Sequence, residues 1–196
     1  LVKGLKLDLH TFVMDWPEFR DLQRAYFKAS VVDLEVPTDH MILGALYQIA
    51  TKNGLKHILS GTNVATEAIL PRRWYYPKFD LVNLRDIHRQ FGTLPLRKLP
   101  ALGFWQMTYY NQLRGVGSVA LLDLVDYNKR AAKTLLMERY GWRDYGGKHY
   151  ESVFTRFYQG YILPHKFGID KRKAHLSTLI CSGQLTRAEA LRELEQ

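Results

Sequence analysis

The residues of this chain best suited to chemistry are the lysines and arginines near its C-terminus, which are interleaved with aromatic residues and glycines. Seven basic residues lie in this stretch: Arg143, Lys148, Arg156, Lys166, Lys171, Arg172 and Lys173. Only three acidic residues, Asp144, Glu151 and Asp170, oppose them. Such an excess of positive charge favours an anionic ligand, and phosphate is the usual candidate. A solvated basic helical surface has the same composition, so both interpretations stay open.

A helix predicted over 148–163 sorts part of this stretch onto two faces. At 100° per residue, an aromatic face is predicted to be core, and it consists of Tyr150, Phe154, Phe157, Tyr158 and Tyr161. The polar face consists of Lys148, Glu151, Ser152, Thr155 and Gln159. The polar face either meets water or lines a cleft that could position a phosphate or a metal. Because Ser and Thr are only average helix formers, the composition favours the cleft.

A second candidate site is the turn SGTNVATE, which follows a predicted buried strand at 55–59. In open α/β sheets, ligands bind beyond the carboxyl ends of the strands. Gly61 permits a close approach, Asn63 and Thr66 offer hydrogen bonds, and Glu67 could hold a polar group. The alternative is an ordinary turn in which Asn or Thr caps a helix.

Two further basic motifs lie in the C-terminal stretch. Asp170 is placed to cap a helix at 171–181, and Lys166 and Lys171 flank the start of that helix, where an anion is favoured. Gly146-Gly147-Lys148 looks like the end of a P-loop, but the required earlier glycine and the following Ser or Thr are missing. A Walker site is therefore excluded.

Composition excludes several other classes of site. The chain has 196 residues, a formal charge of +9 and a pI near 9.6, which admit nucleic acid, a membrane surface or a nucleotide as partner. Cys181 is the only cysteine, so no intrachain disulfide or cysteine zinc cluster can form, and we expect a buried helical thiol. The seven histidines show no metal-binding spacing, and we predict no metal ligands. Without a long apolar run or a signal peptide, the default location is cytoplasmic and no membrane partner is expected.

The elements that must position these residues are predicted from periodicity and caps. An α/β region covers 1–125, with strands at 6–14, 55–59 and 118–125 and helices at 17–29, 38–52 and 83–91. Thr38 or Asp39 is the predicted cap of its second helix. A helical region follows over 126–196, with helices near 127–140, 148–163, 171–181 and 187–195, and we expect it to pack on the α/β region. Thr186 and Glu189 form a capping box before the last helix. The alternation of strand and helix predicts an α/β fold with a parallel, Rossmann-like sheet.

Three segments together resemble one family, the N-acetyl sugar amidotransferases of bacterial surface-polysaccharide synthesis. They are RDLQRAYFKASVVDLEVPTDH, LKHILSGTNVATEAILPRRW and YGGKHYESVFTRFYQGYILPHKFGIDKRKAHLSTLI. The resemblance implies a PP-loop ATP pyrophosphatase with an adenine nucleotide alpha hydrolase-like fold. It implies an ATP- and Mg²⁺-dependent transferase of lipopolysaccharide O-antigen synthesis, which converts an acetamido group of a nucleotide-activated sugar to an acetamidino group. Ammonia would come from a glutaminase subunit and a synthase subunit like those of histidine biosynthesis.

The resemblance also assigns residue roles. Positive charge for catalysis is expected from Lys148, Lys171 and Arg172. ATP or substrate would be bound by Gly61, Asn63, Thr66, Glu67, His149, Glu151 and Lys166. The family's SGGKDS signature, its PP-loop, does not occur in the 196 residues, and the chain begins at Leu1. We therefore expect an N-terminally truncated fragment, with an incomplete sheet, that is inactive alone.

Two alternatives stay open. A tRNA-modifying PP-loop ATPase would use the same chemistry and bind RNA through the basic C-terminal region. The KHYES segment favours a compact ligand over a long RNA, so nucleic acid is the less expected partner. A non-catalytic module for docking or oligomerisation is the second alternative, and it would expose apolar surface and could form a homodimer.

Overall fold

The structure is a computed structural model that describes residues 2–144 and 152–195. The chain divides into two compact units. We call 11–60 with 74–119 the sheet unit, and 1–10, 61–73 and 120–196 the tail unit. The predicted boundary at residue 125 stays a prediction. The described residues are mostly helical with one small parallel sheet, so a mixed helix and strand content is confirmed and a Rossmann-like sheet is not.

The elements follow one another in chain order. The first half contains α1 (Trp16–Ala29), α2 (Val36–Lys52), β1 (His57–Ser60), α3 (Val64–Glu67), a 3₁₀ turn (Arg72–Trp74) and α4 (Leu81–Phe91). The middle contains α5 (Phe104–Thr108), a π-helical turn (Tyr109–Leu113), β2 (Gly117–Ala120) and a 3₁₀ turn (Leu121–Leu124). The last part contains α6 (Lys129–Tyr140), α7 (Val153–Phe157), a π-helical turn (Tyr158–Ile162), α8 (Leu163–Phe167), α9 (Lys171–Cys181) and α10 (Arg187–Glu195).

The sheet unit is held together by its helices. Asp15 caps α1 by accepting a hydrogen bond from the Glu18 N–H, and α1 packs against α4 through a face that includes buried Leu22 and Tyr26. A second cluster forms around Tyr47 of α2 and Tyr110, whose rings stack with centroids 5.4 Å apart. The predicted cap of α2 is wrong, because the helix already begins at Val36 and Pro37 lies in its first turn.

The sheet contains two strands, β1 and β2, which pair with each other. The strand predicted at 55–59 is confirmed as β1, but its predicted burial is wrong, because Leu55 and Leu59 are exposed. The one predicted at 118–125 is confirmed only to Ala120, because the chain then turns into a 3₁₀ segment. The strand predicted at 6–14 is wrong: it has no partner, and Leu7, Leu9 and Val13 are exposed. Alternating hydrophobicity makes a strand only when a neighbouring strand satisfies its backbone and a core covers one face.

The tail unit contains the helices that carry most of the candidate site residues. Helices 171–181 and 187–195 are confirmed as α9 and α10, which pack against each other around Leu176, Leu179 and Ala190. The Thr186–Glu189 capping box is also confirmed, because the Glu189 N–H donates to the Thr186 hydroxyl, at 3.2 Å, and the Thr186 N–H donates back to the Glu189 carboxylate, at 2.8 Å. Cys181 is exposed at the end of α9, so the prediction of a buried thiol is wrong.

The helix predicted at 148–163 is confirmed only in part. Its described portion begins at Val153, after a Ser152 cap, and runs through the π turn into α8 as far as Phe167. Tyr158 is fully buried, but Phe157 and Tyr161 are 50% and 57% exposed, so the predicted aromatic core face is wrong for these two residues. A π turn holds more residues than an α turn, so a projection at 100° per residue loses register across it. Tyr150 lies outside the described residues.

Candidate functional site

The turn at Gly61 leads into α3, and side-chain oxygens accept hydrogen bonds from two of the first backbone N–H groups of that helix. The Thr66 N–H donates to the Asn63 side-chain oxygen at 2.8 Å, and the Val64 N–H donates to Asp123 at 2.7 Å. Asn63 and Thr66 are buried, whereas Gly61 and Glu67 are exposed. The interpretation of Asn63 as a helix cap is therefore confirmed. A ligand role for Gly61, Asn63, Thr66 and Glu67 stays a prediction.

Helix α9 lies against this turn and is joined to it by two hydrogen bonds. The Nδ1 of His175 lies 3.1 Å from the backbone oxygen of Thr66. The Thr178 hydroxyl accepts a hydrogen bond from the Ile69 N–H at 3.1 Å and donates to the Ala174 oxygen at 3.1 Å. Helix α9, whose first turn holds Lys171, therefore lies beside the segment 61–69 of the tail unit.

His175 also contacts a lysine from a third element, α6. Its Nε2 lies 3.1 Å from the Nζ of Lys129, the first residue of that helix. Because a carbonyl oxygen can only accept, Nδ1 carries the proton that is donated to Thr66. An ammonium group can only donate, so Nε2 accepts and the imidazole is neutral in this arrangement. We call these two side chains the Lys129–His175 pair.

Gln184 fixes the start of α6 beside this pair. Its side-chain oxygen accepts the Lys129 N–H at 2.9 Å, and its side-chain nitrogen donates to the Tyr127 oxygen at 2.9 Å. The Asn128 side chain caps α6 by accepting the Ala131 N–H at 3.0 Å. Three elements of the tail unit, α3, α6 and α9, thus meet at Thr66, Lys129 and His175.

The predicted cations of the C-terminal stretch have contacts of their own at the ends of α8 and α9. The Nζ of Lys171 lies 5.6 Å from the centre of the Tyr158 ring, and the Nζ of Lys166 lies 5.3 Å from the centre of the Phe167 ring. Arg172 donates from Nε and Nη2 to the Asp170 carboxylate, at 3.0 to 3.2 Å. Arg172 therefore supports the helix start, and its catalytic role stays a prediction.

The Asp170 cap itself is confirmed, since its carboxylate accepts the Arg172 N–H at 3.0 Å. Burial raises the pKa of Asp170, but the hydrogen bonds and charge of Arg172 outweigh burial and hold that pKa below its ordinary value. The carboxylate therefore stays charged at neutral pH. It reduces the net positive charge at the start of α9, where the sequence predicted an anion between Lys166 and Lys171.

Three predicted site residues, Lys148, His149 and Glu151, lie outside the described residues. Among residues 2–144 and 152–195, no group of three or more His, Cys, Asp or Glu side chains could hold a metal ion. No helix within those ranges is long and apolar enough to cross a bilayer.

Sequence reasoning missed Lys129, His175 and Asp123. The sequence contained one local signal for Lys129 and one for His175. Asn128 is a typical cap, which places Lys129 at the first helical position. His175 precedes Thr178 by three residues, so both lie on one face of α9. No sequence signal could show that this face meets the end of α3, because 109 residues separate His175 from Thr66.

Comparison with known proteins identifies one match. Residues 151–196 match the family model of the LPS biosynthesis protein WbpG-like, C-terminal domain. No curated protein and no solved structure gives a significant match to the chain. The matched residues are fewer than half of the chain, and they include α9, which carries His175. The match supports an LPS-biosynthesis family for this chain.

Proposed function

We propose that this chain is part of an ATP-dependent amidotransferase that converts an acetamido group of a nucleotide-activated sugar to an acetamidino group during O-antigen synthesis. The observation that carries the proposal is the match of residues 151–196 to the WbpG-like C-terminal domain. That domain holds Lys166, Lys171 and Arg172, which lie in the segment where we expect phosphate to bind.

The reaction proceeds through activation of the amide oxygen. That oxygen attacks the α-phosphorus of ATP, and pyrophosphate leaves with the electrons of the broken P–O bond. Ammonia then attacks the imidate carbon, AMP departs with the former amide oxygen, and an amidine remains after proton loss. The developing negative charge on the phosphates has to be balanced by cations held in position.

Lys171, at the start of α9, and Arg172 beside it are the described residues that we expect to supply this charge. Lys148, His149 and Glu151 keep the roles implied by the family resemblance. Mg²⁺ would enter bound to the phosphates of ATP.

The proposed partners follow from the chemistry. Free ammonia is scarce at neutral pH, so a glutaminase subunit and a synthase subunit like those of histidine biosynthesis would deliver it. ATP and nucleotide sugars are cytoplasmic metabolites, and we place the enzyme in the cytoplasm for that reason.

The test is an assay of the complete gene product with ATP, Mg²⁺, an ammonium salt and a panel of UDP-N-acetylhexosamines. We expect AMP and pyrophosphate to appear only with an acetamido sugar, and mass spectrometry to show nitrogen in place of the amide oxygen. UDP-glucose, which has no acetamido group, is the matched control and should give no AMP. AMP formation that is independent of the sugar would overturn the proposal.

A second candidate is a tRNA-modifying ATPase, which the +9 charge also admits. It predicts tRNA binding that weakens steeply with salt, because each phosphate contact releases counterions. Filter binding at two salt concentrations, together with AMP release stimulated by tRNA and not by UDP-sugars, would select this candidate over the first.

A further inference from the structure

We propose that two copies of this chain form a dimer through the exposed face of α5 and of the π turn that follows it. This face, the α5 stripe, consists of Phe104, Trp105, Tyr109 and Leu113. The occupant is a second copy related by a twofold axis, the commonest symmetry of homo-oligomers, so that the two α5 helices run antiparallel. The proposal is independent of the proposed function, because it concerns assembly and not the reaction.

The first support is the amount of apolar surface that the α5 stripe leaves open. Phe104, Trp105 and Leu113 are 73%, 77% and 76% exposed, and Tyr109 is 43% exposed. Contiguous exposed apolar surface marks an interaction site. At about 150–250 Å² for each aromatic side chain, the stripe offers roughly 500 Å² per copy. A stable interface needs about 800 Å² per partner, so these four residues supply more than half of it.

The second support is the rigid attachment of the α5 stripe to the sheet unit. On the inner side of the same helical segment, Tyr110 is buried in the cluster around Tyr47. On the outer side, the rings of Phe104 and Trp105 meet edge to face with centroids 5.1 Å apart. The Thr108 hydroxyl donates to the Phe104 oxygen at 3.0 Å. A surface that is already ordered loses little conformational entropy when a partner binds.

The third support is the distribution of charge along the stripe. Arg114 is the only charged residue in 99–122, so the stripe has the uncharged, aromatic centre that is typical of homodimer interfaces. At the C-terminal end of the stripe, the Nζ of Lys56 donates to the Arg114 backbone oxygen at 2.6 Å. Lys56 and Arg114 therefore give this end a positive charge.

The N-terminal end of the stripe lies beside an acidic residue. Leu81 packs against Gly103, the cap of α5, since a Cβ atom at Gly103 would lie 2.9 Å from the Cβ of Leu81. The preceding residue, Asp80, is exposed. Antiparallel copies bring the Asp80 end of one stripe to the Arg114 end of the other, so opposite charges meet at both ends. The Asp80 carboxylate also disfavours an anionic membrane surface as the occupant.

Sedimentation equilibrium of the complete gene product tests the proposal. We expect a wild-type dimer, and we expect Trp105→Ser to raise the Kd of that dimer at least about 30-fold, the loss typical of a buried aromatic side chain at the centre of an interface. Trp16→Ser is the matched control, since Trp16 is an exposed tryptophan of α1, and its Kd should stay within about twofold of wild type. Equal far-UV circular dichroism spectra of the variants would show that each of them folds.

Two variants that remove charge test the antiparallel arrangement. Asp80→Asn keeps an oxygen that can accept the Asn83 N–H, so the cap of α4 is preserved. We expect Asp80→Asn and Arg114→Gln each to raise the Kd roughly 2- to 10-fold, as exposed ion pairs do. The double variant should raise the Kd no further than either single variant, because the two side chains act as a pair. Additive losses, or no loss in either single variant, would overturn the antiparallel arrangement.

The remaining outcomes decide whether the α5 stripe binds a second copy. A wild type that stays monomeric at every concentration would overturn the proposal, and so would a dimer whose Kd is unchanged in Trp105→Ser. A wild-type monomer that binds vesicles of phosphatidylethanolamine and phosphatidylglycerol, and loses that binding in Trp105→Ser, would identify a membrane surface as the occupant instead. A dimer that Trp105→Ser weakens and Trp16→Ser does not upholds the proposal.

Discussion

Replacement of His40 by leucine tests how the sheet unit is held together. His40 is fully buried. Its Nδ1 lies 2.8 Å from the Lys78 oxygen, and its Nε2 accepts the Leu102 N–H at 3.0 Å. One imidazole therefore satisfies two backbone groups that are 24 residues apart in the chain. Leucine fills a similar volume and can satisfy neither group.

The size of the effect follows from these two contacts. Each backbone group left buried without a partner costs about 1–3 kcal/mol. Burial of the more apolar leucine side chain offsets about 1–2 kcal/mol of that loss. Taking the middle of each range, we expect His40→Leu to reduce the free energy of unfolding by roughly 2–3 kcal/mol.

The assay is urea unfolding of the chain followed by far-UV circular dichroism. His57→Leu, at an exposed histidine of β1, is the matched control, and we expect a change within about 0.5 kcal/mol. Equal unfolding midpoints for His40→Leu and the wild type would refute the reasoning. So would a large loss in the His57 control, because the effect would then not depend on the buried contacts.

The same histidine predicts a pH dependence with a definite sign. Burial lowers the pKa of His40 from its ordinary value of 6.5, an effect that the Lys78 hydrogen bond opposes and the charge of Arg85 reinforces. Below about pH 6.5 the unfolded chain then binds a proton that the folded chain does not. Wild-type stability should fall as the pH drops through this range toward the folded pKa. His40→Leu should lack that part of the slope, and an unchanged slope would contradict the assignment.

Three further predictions concern other contacts. Thr178→Val leaves the Ile69 N–H without its partner, and we expect a loss of about 1 kcal/mol in urea unfolding that Thr178→Ser avoids. Burial raises the pKa of Asp21, but hydrogen bonds from Leu94, Thr93 and His88 outweigh burial and lower that pKa. The free energy of unfolding should therefore fall as the pH drops below about 4. Asp21→Asn should make this fall at acid pH less steep. Thr186→Ala removes the cap of α10 and should reduce the free energy of unfolding by about 1 kcal/mol. The measurement is the melting temperature, which should fall; an unchanged melting temperature would show that the cap is dispensable.

Much of the helical structure could be predicted from the sequence, because helix signals are local. Asp170 and Thr186 cap α9 and α10 through hydrogen bonds that span only two or three residues, and both helices have the predicted bounds. The Asn63 cap was also among the predicted interpretations for its turn. Strand prediction was weaker, since a strand depends on partners that lie elsewhere in the chain. Residues 6–14 alternate in hydrophobicity and still form no strand.

The candidate site shows the same difference between local signals and contacts of distant residues. The sequence by itself determined a basic C-terminal stretch, the caps that start its helices and the resemblance that points to phosphate chemistry. Only the tertiary structure decided that His175 meets Thr66, that Lys129 reaches His175 and that Arg172 is engaged by Asp170. The physical reason is that the contacts of His175 join residues 46 and 109 positions apart, and packing rather than local periodicity sets which helix faces meet.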